Sequence, residues 1–425
     1  MSDASSNTTS QMSRPDRRGA FRLLFACLLL VGAGNTMLVA AVMPPLTREL
    51  GLPDWTAGAI FSLSALAWTV MSPVWGRKSS EWGRRPVAVI GMVGFAVSMG
   101  LFGWIAAEAR SSDVNNWAIV FVLLLVSRGL FGLFGSGTSP AAQAYIADRT
   151  SPAERTDAIA SVSAGFSLGT VVGPAAAAVL IVWFGLLAPV FAVAIAAAFA
   201  ALFLWRSLPE NLAPADRQVS RAATKGLWRS SGLAPYLIYA VGLSLATGVL
   251  TQTYPFAMMD RMELTGPEAA QYIGPAMAVG AMATLTAQLA FIPRLKLPVR
   301  DLMSLGAALL TLGTLIMIGS SQFALFIIVQ ILLGLGLGFS RPGFMSGASL
   351  AAGPELQGNV AGLITAANGA GYVVSPLFGL WMYQAVHPVA PFAFCAVLLS
   401  ALGLYAWRRA SATAPPTVSE DDPAV

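Results

Sequence analysis

Arg128 and Arg341 stand inside long apolar runs of a 425-residue chain in which only 11% of residues are charged. An arginine held in hydrocarbon costs roughly 2.5 to 3.5 kcal/mol on insertion scales, so an ionisable group there marks a functional path by default. Arg128 shares a helical stripe with Gly132, Gly135 and Ser139, at spacings of 4, 7 and 11, a small-residue face fit to border a cavity. Gln330 holds the related place in the second half of the chain. Asn35, Phe166, Gln252, Tyr254, Gln288, Asn368 and Tyr372 complete the candidate substrate-binding set, since aromatic and amide groups suit an amphipathic guest. Arg128 is offset either by an anionic group on that guest or, as structural support, by Asn35 and backbone carbonyls.

Bond-breaking chemistry would need paired acids, a histidine or a nucleophile beside a base, and the apolar runs supply none, so no enzyme is expected. The single histidine, His387, falls in a loop, and Cys27 and Cys395 are too few for a disulfide framework or a metal cluster. No cofactor is expected. No Gly-x-x-x-x-Gly-Lys-Ser/Thr phosphate loop points to ATP as an energy source.

Charge concentrates instead in the stretch "GRKSSEWGRRPV", residues 76–87, a turn between two apolar runs. Arg84 and Arg85 at the start of a helix, with Asp148 at the end of a later one, form an ion-pair latch in this reading, and Glu81 is a second candidate acid. Such pairs are individually weak, which suits a switch between two states of near-equal energy.

These groups are positioned by a membrane protein. Hydrophobic residues make up 56% of the chain, and a span takes roughly 20 of them in a helix. About twelve runs qualify, near 21–43, 56–76, 86–107, 117–147, 158–181, 185–206, 234–256, 270–292, 302–319, 322–350, 357–383 and 389–407. Backbone polar groups in lipid must be satisfied within the segment, so these runs are helices and the fold is all-α. With the N-terminus inside, cytoplasmic segments hold 20 of the 25 Lys and Arg residues, which places both termini in the cytoplasm. That topology accounts for the net charge of +5, and no basic soluble face offers itself to nucleic acid. Arg17 and Arg18 read as flanking charge rather than an export signal, because the run behind them is a full span.

The polar stretch Ser207 to Gly232 divides the spans six and six, giving a first bundle over 1–206, a cytoplasmic linker over 207–232 and a second bundle over 233–425. The two parts repeat one another: adding 202 carries Gly132 to Gly334, Pro140 to Pro342, Gly169 to Gly371 and Pro174 to Pro376. Gly165, Gly169 and Gly173 lie four apart on one helix face, as do Ala367, Gly371 and Ser375, and small ridges of this kind let helices approach closely. Internal duplication is the mark of transporters in which two bundles rock about a site near the midplane.

Three motifs give the chain its resemblance to the major facilitator superfamily, within it the twelve-span drug:proton antiporters, and most of all the tetracycline efflux pumps. The family's loop pattern Gly-x-x-x-Asp-Arg-x-Gly-Arg-Arg is met by Gly76, Gly83, Arg84 and Arg85 and departs at Ser80 and Glu81. Leu124, Arg128 and Gly132 match the fourth-span pattern, and Gly169, Gly173 and Pro174 the antiporter pattern of the fifth. "AYIADRTSPAER", ending at Arg155, resembles the family's cytoplasmic end of the fourth span, and "ANGAGYVVSP" its eleventh. The resemblance implies two pseudo-symmetric six-helix bundles and alternating access, and it assigns gating roles to the loop residues and Arg155.

The resemblance also implies export of small amphipathic or anionic compounds across a bacterial inner membrane by a monomer, with protons as the coupling ion. An uptake carrier or uniporter of a small organic anion is the alternative. Asn35 stands where tetracycline pumps carry an acid, and no carboxylate lies deep in an expected span, so the proton-coupling candidates are Asp260, Glu81 and Asp148.

Overall fold

The computed structural model describes residues 14–111, 116–150, 152–210, 232–352 and 357–409. Every regular element among them is helical. In order these are α1 (Arg14–Thr36), α2 (Met43–Glu49), α3 (Asp54–Trp82), α4 (Arg84–Ser111), α5 (Trp117–Phe134), α6 (Thr138–Asp148), α7 (Pro152–Phe184) and α8 (Ala188–Ser207). Residues 211–231 lie outside the described residues, and after them come α9 (Ala234–Arg261), α10 (Gly266–Thr286), α11 (Ile292–Leu295), α12 (Val299–Gly319), α13 (Phe323–Ala352), α14 (Gln357–Trp381) and α15 (Ala390–Arg409). Eleven helical spans among the described residues are long and apolar enough to cross a membrane, and α14, with 25 residues, adds a helix of comparable length.

Three π-helical turns interrupt the spans, at Met37–Val42, Ala287–Phe291 and Met382–Val386. Each ends two residues before a proline: Pro44, Pro293 and Pro388. A proline ring clashes with the carbonyl four residues back and offers it no N–H. Those carbonyls belong to Ala40, Leu289 and Gln384, each inside its π turn; at Pro44 and Pro293 the widened turn relieves the clash and the helix continues, whereas at Pro388 the helix ends with the π turn, His387 being extended. Elsewhere α5 passes to α6 through a 3₁₀ turn at Gly135–Gly137. That tighter turn rotates α6 relative to α5, and the expected stripe from Arg128 to Ser139 does not continue as one α-helical face.

Glycines let the helices touch backbone to backbone. A Cβ on Gly165 or Gly173 would lie 2.5 to 2.6 Å from the carbonyls of Phe25 and Ala33, and one on Gly169 would run into the Leu29 carbonyl, so α7 lies directly on α1. The contact recurs between α14 and α9, where Gly371 abuts Ser244 and Leu245 and Gly248 abuts Ser375. Gly132 of α5 faces the Ser64 carbonyl of α3, and its counterpart Gly334 of α13 faces Gly280 of α10. Pro174 and Pro376 lie inside α7 and α14, one residue beyond Gly173 and Ser375 of these close-packed faces.

Candidate functional site

Arg128 is fully buried on α5. Its Nη2 donates to Asn35 Oδ1 of α1 at 2.8 Å. The guanidinium lies 4.5 Å from the Phe131 ring centroid and 5.7 Å from that of Phe61. Such a contact contributes about 2 kcal/mol when desolvated, comparable with the cost of placing an arginine there. Nε and Nη1 reach no protein acceptor. In this geometry Arg128 touches α1, α3 and α5 through one amide and two aromatic faces, while two of its buried donor nitrogens stay unmatched.

The second half places its polar groups differently. On α14, Asn368 Oδ1 accepts from Ser244 of α9 at 2.8 Å, and one turn on, the Tyr372 hydroxyl accepts from Arg341 Nη2 of α13 at 3.1 Å. Asn368, Tyr372 and Arg341 are all half-buried. Gln330 is buried with Oε1 against Gly280. Tyr254 is buried too, its hydroxyl donating to the Phe326 carbonyl at 3.0 Å, and Gln252 is buried on α9. Gln288 falls in the π turn after α10, where a 3.6-residue period no longer assigns a face. Phe166 is half-buried against the core of α1 and α7.

At one end of the molecule a charged cluster joins helices from far apart in the sequence. Arg48, at the end of α2, donates through Nη2 to Asp54 Oδ2 at 2.9 Å and through Nη1 to Asp260 Oδ1 at the end of α9. The Tyr383 hydroxyl, from the π turn after α14, donates to the other Asp260 oxygen, and the Trp55 N–H donates to Gln384 Oε1 at 3.3 Å. Arg48 also lies 5.3 Å from the Phe256 ring centroid. Below this cluster Ser62 Oγ accepts from the Leu377 N–H at 3.2 Å, Gly58 abuts the Pro376 carbonyl, and a Cβ on Gly369 would stand 3.7 Å from Thr69 Oγ1. From Asp54 to Thr69 the seam between α3 and α14 runs about 22 Å.

At the opposite end, Arg84 Nε bonds Asp148 Oδ2 at 2.9 Å, and Arg84 Nη1 donates to Ser79 and Ser80 at 2.8 and 2.9 Å. Arg85 does not join this pair; its guanidinium lies 5.3 Å from the Trp205 ring centroid. Glu81 pairs with Lys78 at 2.9 Å on its own helix. Gly76 lies near Pro140 on α6, and Gly83 takes φ +103°, a conformation that favours glycine.

The acid that meets the start of α4 is Glu210, which accepts from the Arg84 and Arg85 N–H groups at 2.9 and 2.7 Å. Two otherwise orphaned N–H groups at a helix start are thus satisfied by Glu210, three residues beyond the end of α8. Sequence reading missed Glu210 because it lies 126 residues from Arg84. The side chain of Arg155 lies outside the described residues.

A bundle of apolar helices with polar groups on facing spans and ion pairs at both ends defines a multi-span membrane transporter. The Major Facilitator Superfamily model matches residues 24–296 and 291–424, and the chain belongs to that family. It is 25% identical over 388 residues to Multidrug resistance protein 2 of Bacillus subtilis (strain 168), covering 88% of this chain and 91% of that protein. To Tetracycline resistance protein, class G, of Vibrio anguillarum it is 32% identical over 153 residues, 35% of each chain. Among solved structures, a bacterial homolog to the human lysosomal transporter Spinster, in an inward-facing and occupied conformation, superposes with a TM-score of 0.71. That structure is 17% identical, and the match covers 95% of this chain and 98% of that one.

Proposed function

We propose that the chain is a secondary active exporter of small amphipathic compounds in a bacterial inner membrane, working by alternating access between halves 1–206 and 233–425. The observation that carries the reading is the repeated packing: Gly132 on α3 and Gly169 on α1 in the first half answer Gly334 on α10 and Gly371 on α9 in the second. Two copies of one six-helix plan, meeting along a seam, are the parts that rock in such carriers.

The distribution of Lys and Arg puts the Arg84 end in the cytoplasm and the Arg48 end outside. The contacts that cross between halves, from Arg48–Asp260 to Thr69–Gly369, then belong to the outer side, and the state is closed to the outside. The full-length similarity to a multidrug resistance protein supports an amphipathic cargo.

Purified protein in proteoliposomes, assayed with a panel of amphipathic cations, anions and neutral compounds with and without a pH gradient, tests this. Gradient-dependent accumulation of at least one compound is expected. Flux that ignores the gradient in both directions would identify a uniporter instead, and no flux of any compound would defeat the transporter reading.

A further inference from the structure

We infer that Arg341, together with Tyr372, is the seat for an anionic group on the cargo, and that the cargo class is an amphipathic carboxylate. This rests on the transporter reading above and adds the substrate's charge to it.

Arg341 stands 11 residues, about 16 Å, from the nearer end of α13. Snorkelling to the interface serves arginines near helix ends, and Arg341 instead reaches sideways to α14, with Nη2 on the Tyr372 hydroxyl. A phenol is a neutral acceptor and does not balance the charge, and among the described residues no carboxylate pairs with Arg341. Arg128 presents the contrast. It is sealed at zero exposure between Phe61, Phe131 and Asn35, whereas Arg341 is half-buried. Of the two arginines inside spans, one is enclosed by protein and the other remains accessible.

The surroundings fit a carboxylate. Tyr372 accepts from Arg341 and keeps its own hydroxyl proton to donate, so guanidinium and phenol present adjacent donors. A guanidinium matches a carboxylate through two parallel bonds, a geometry that lysine lacks. Asn368, held by Ser244, lies one turn away on the same helix, and Gly369 beside it abuts Thr69 of the other half. A ligand at Arg341 therefore lies beside the seam that must part during transport.

The test uses three fluorescent amphiphiles that differ only in the head group: pyrenebutyrate, pyrenebutanol and pyrenebutylammonium. Binding to the full chain in nanodiscs is read by tryptophan-to-pyrene energy transfer against empty nanodiscs. Wild type is expected to bind the butyrate at least about tenfold tighter than the other two. Arg341→Gln should abolish that preference, with the butanol binding that remains reporting an intact site; Arg341→Lys should keep part of it.

If Arg341→Gln loses butanol binding as well, Tyr372→Phe decides, with a weakened butyrate preference in support and an unchanged one against. No head-group preference in wild type, a preference for the ammonium, or an unchanged preference in Arg341→Gln overturns the inference. The proteoliposome panel is read separately, so wild type that transports cations alone sinks this inference and leaves the transporter reading standing.

Discussion

Arg48 bonds Asp260 across 212 residues of sequence while its other nitrogens hold Asp54, so a single guanidinium fastens the end of α9 to the turn between α2 and α3. The pair is part-exposed, with side chains 28% and 39% accessible, and a pair of this kind contributes modestly alone and more within a network. Removing it by Asp260→Asn should shift the balance toward opening of this end of the molecule by about 1 to 2 kcal/mol, or 5- to 30-fold. The check is a bifunctional thiol reagent on a Trp55→Cys/Gln384→Cys pair, because these positions meet across the seam. Cys27 and Cys395 are buried, so their background is low. Crosslinking should fall in Asp260→Asn relative to the parent cysteine pair, and equal yields in the two proteins would mean that the Arg48–Asp260 bond locks nothing.

The same geometry bears on Asp260 as a proton-coupling candidate. The bond to Arg48 is strongest with a charged carboxylate, and Asp54, Tyr383 and Arg261 also face the group. Adding a proton to Asp260 would weaken the attraction and so favour opening of this end, the outer one in the proposed orientation. A proton antiporter needs the reverse, since the proton-loaded carrier must close outside before it delivers the proton inside. Asp260→Asn is therefore expected to slow transport several-fold and leave its dependence on the pH gradient intact. Loss of gradient dependence in proteoliposomes carrying this variant would identify Asp260 as a proton carrier.

At the other end, sequence reasoning offered Asp148 either of two adjacent arginines as its partner, and only Arg84 reaches it. A double-mutant cycle on thermal unfolding should give a coupling of about 0.5 to 1 kcal/mol for Arg84 with Asp148 and none for Arg85 with Asp148. Glu210→Ala, which strips the start of α4 of its acceptor, should cost about 1 kcal/mol, the usual loss for a helix cap. Glu210→Gln keeps one acceptor oxygen and should lie between wild type and Glu210→Ala. An unaltered melting temperature in Glu210→Ala would show that the linker does not stabilise α4.

The helices were legible because their information is local: about 20 apolar residues in a row spell a span. The duplicated glycines were legible for a related reason, since a backbone contact can be made only where the side chain is missing. The site was less so. Tyr383 and Gln384 lie in the π turn that follows α14, which moves them off the face an α-helical count assigns. Arg48, Asp260 and Glu210 find partners more than 100 residues away, and nothing in the neighbourhood of any one of them names the other. Arg128 drew attention as the arginine within a recognised pattern, while Arg341, outside any pattern, is the one the fold leaves accessible.

The glycine contacts yield a sharper test of the fold, because glycines within spans differ only in what surrounds them. A methyl group on Gly169 would collide with the Leu29 carbonyl and with the Ala33 backbone nitrogen at 2.7 Å, atoms that cannot rotate aside. Gly169→Ala must then push α7 off α1, costing about 1 to 3 kcal/mol as overpacking does. Gly371→Ala faces the Leu245 nitrogen at 2.7 Å and should behave alike. At Gly165 the obstructing Phe25 carbonyl is 2.5 Å away, so Gly165→Ala belongs to the same class. Gly319, where a Cβ would meet nothing within 4 Å, is the control near a helix end, and Gly129 the control within a span. Gly129→Ala should leave stability unchanged or raise it by up to about 1 kcal/mol through the helical preference of alanine. Thermal unfolding followed by fluorescence-detected size exclusion would rank the five variants, and a Gly169→Ala protein as stable as Gly129→Ala would refute the close approach of α1 and α7.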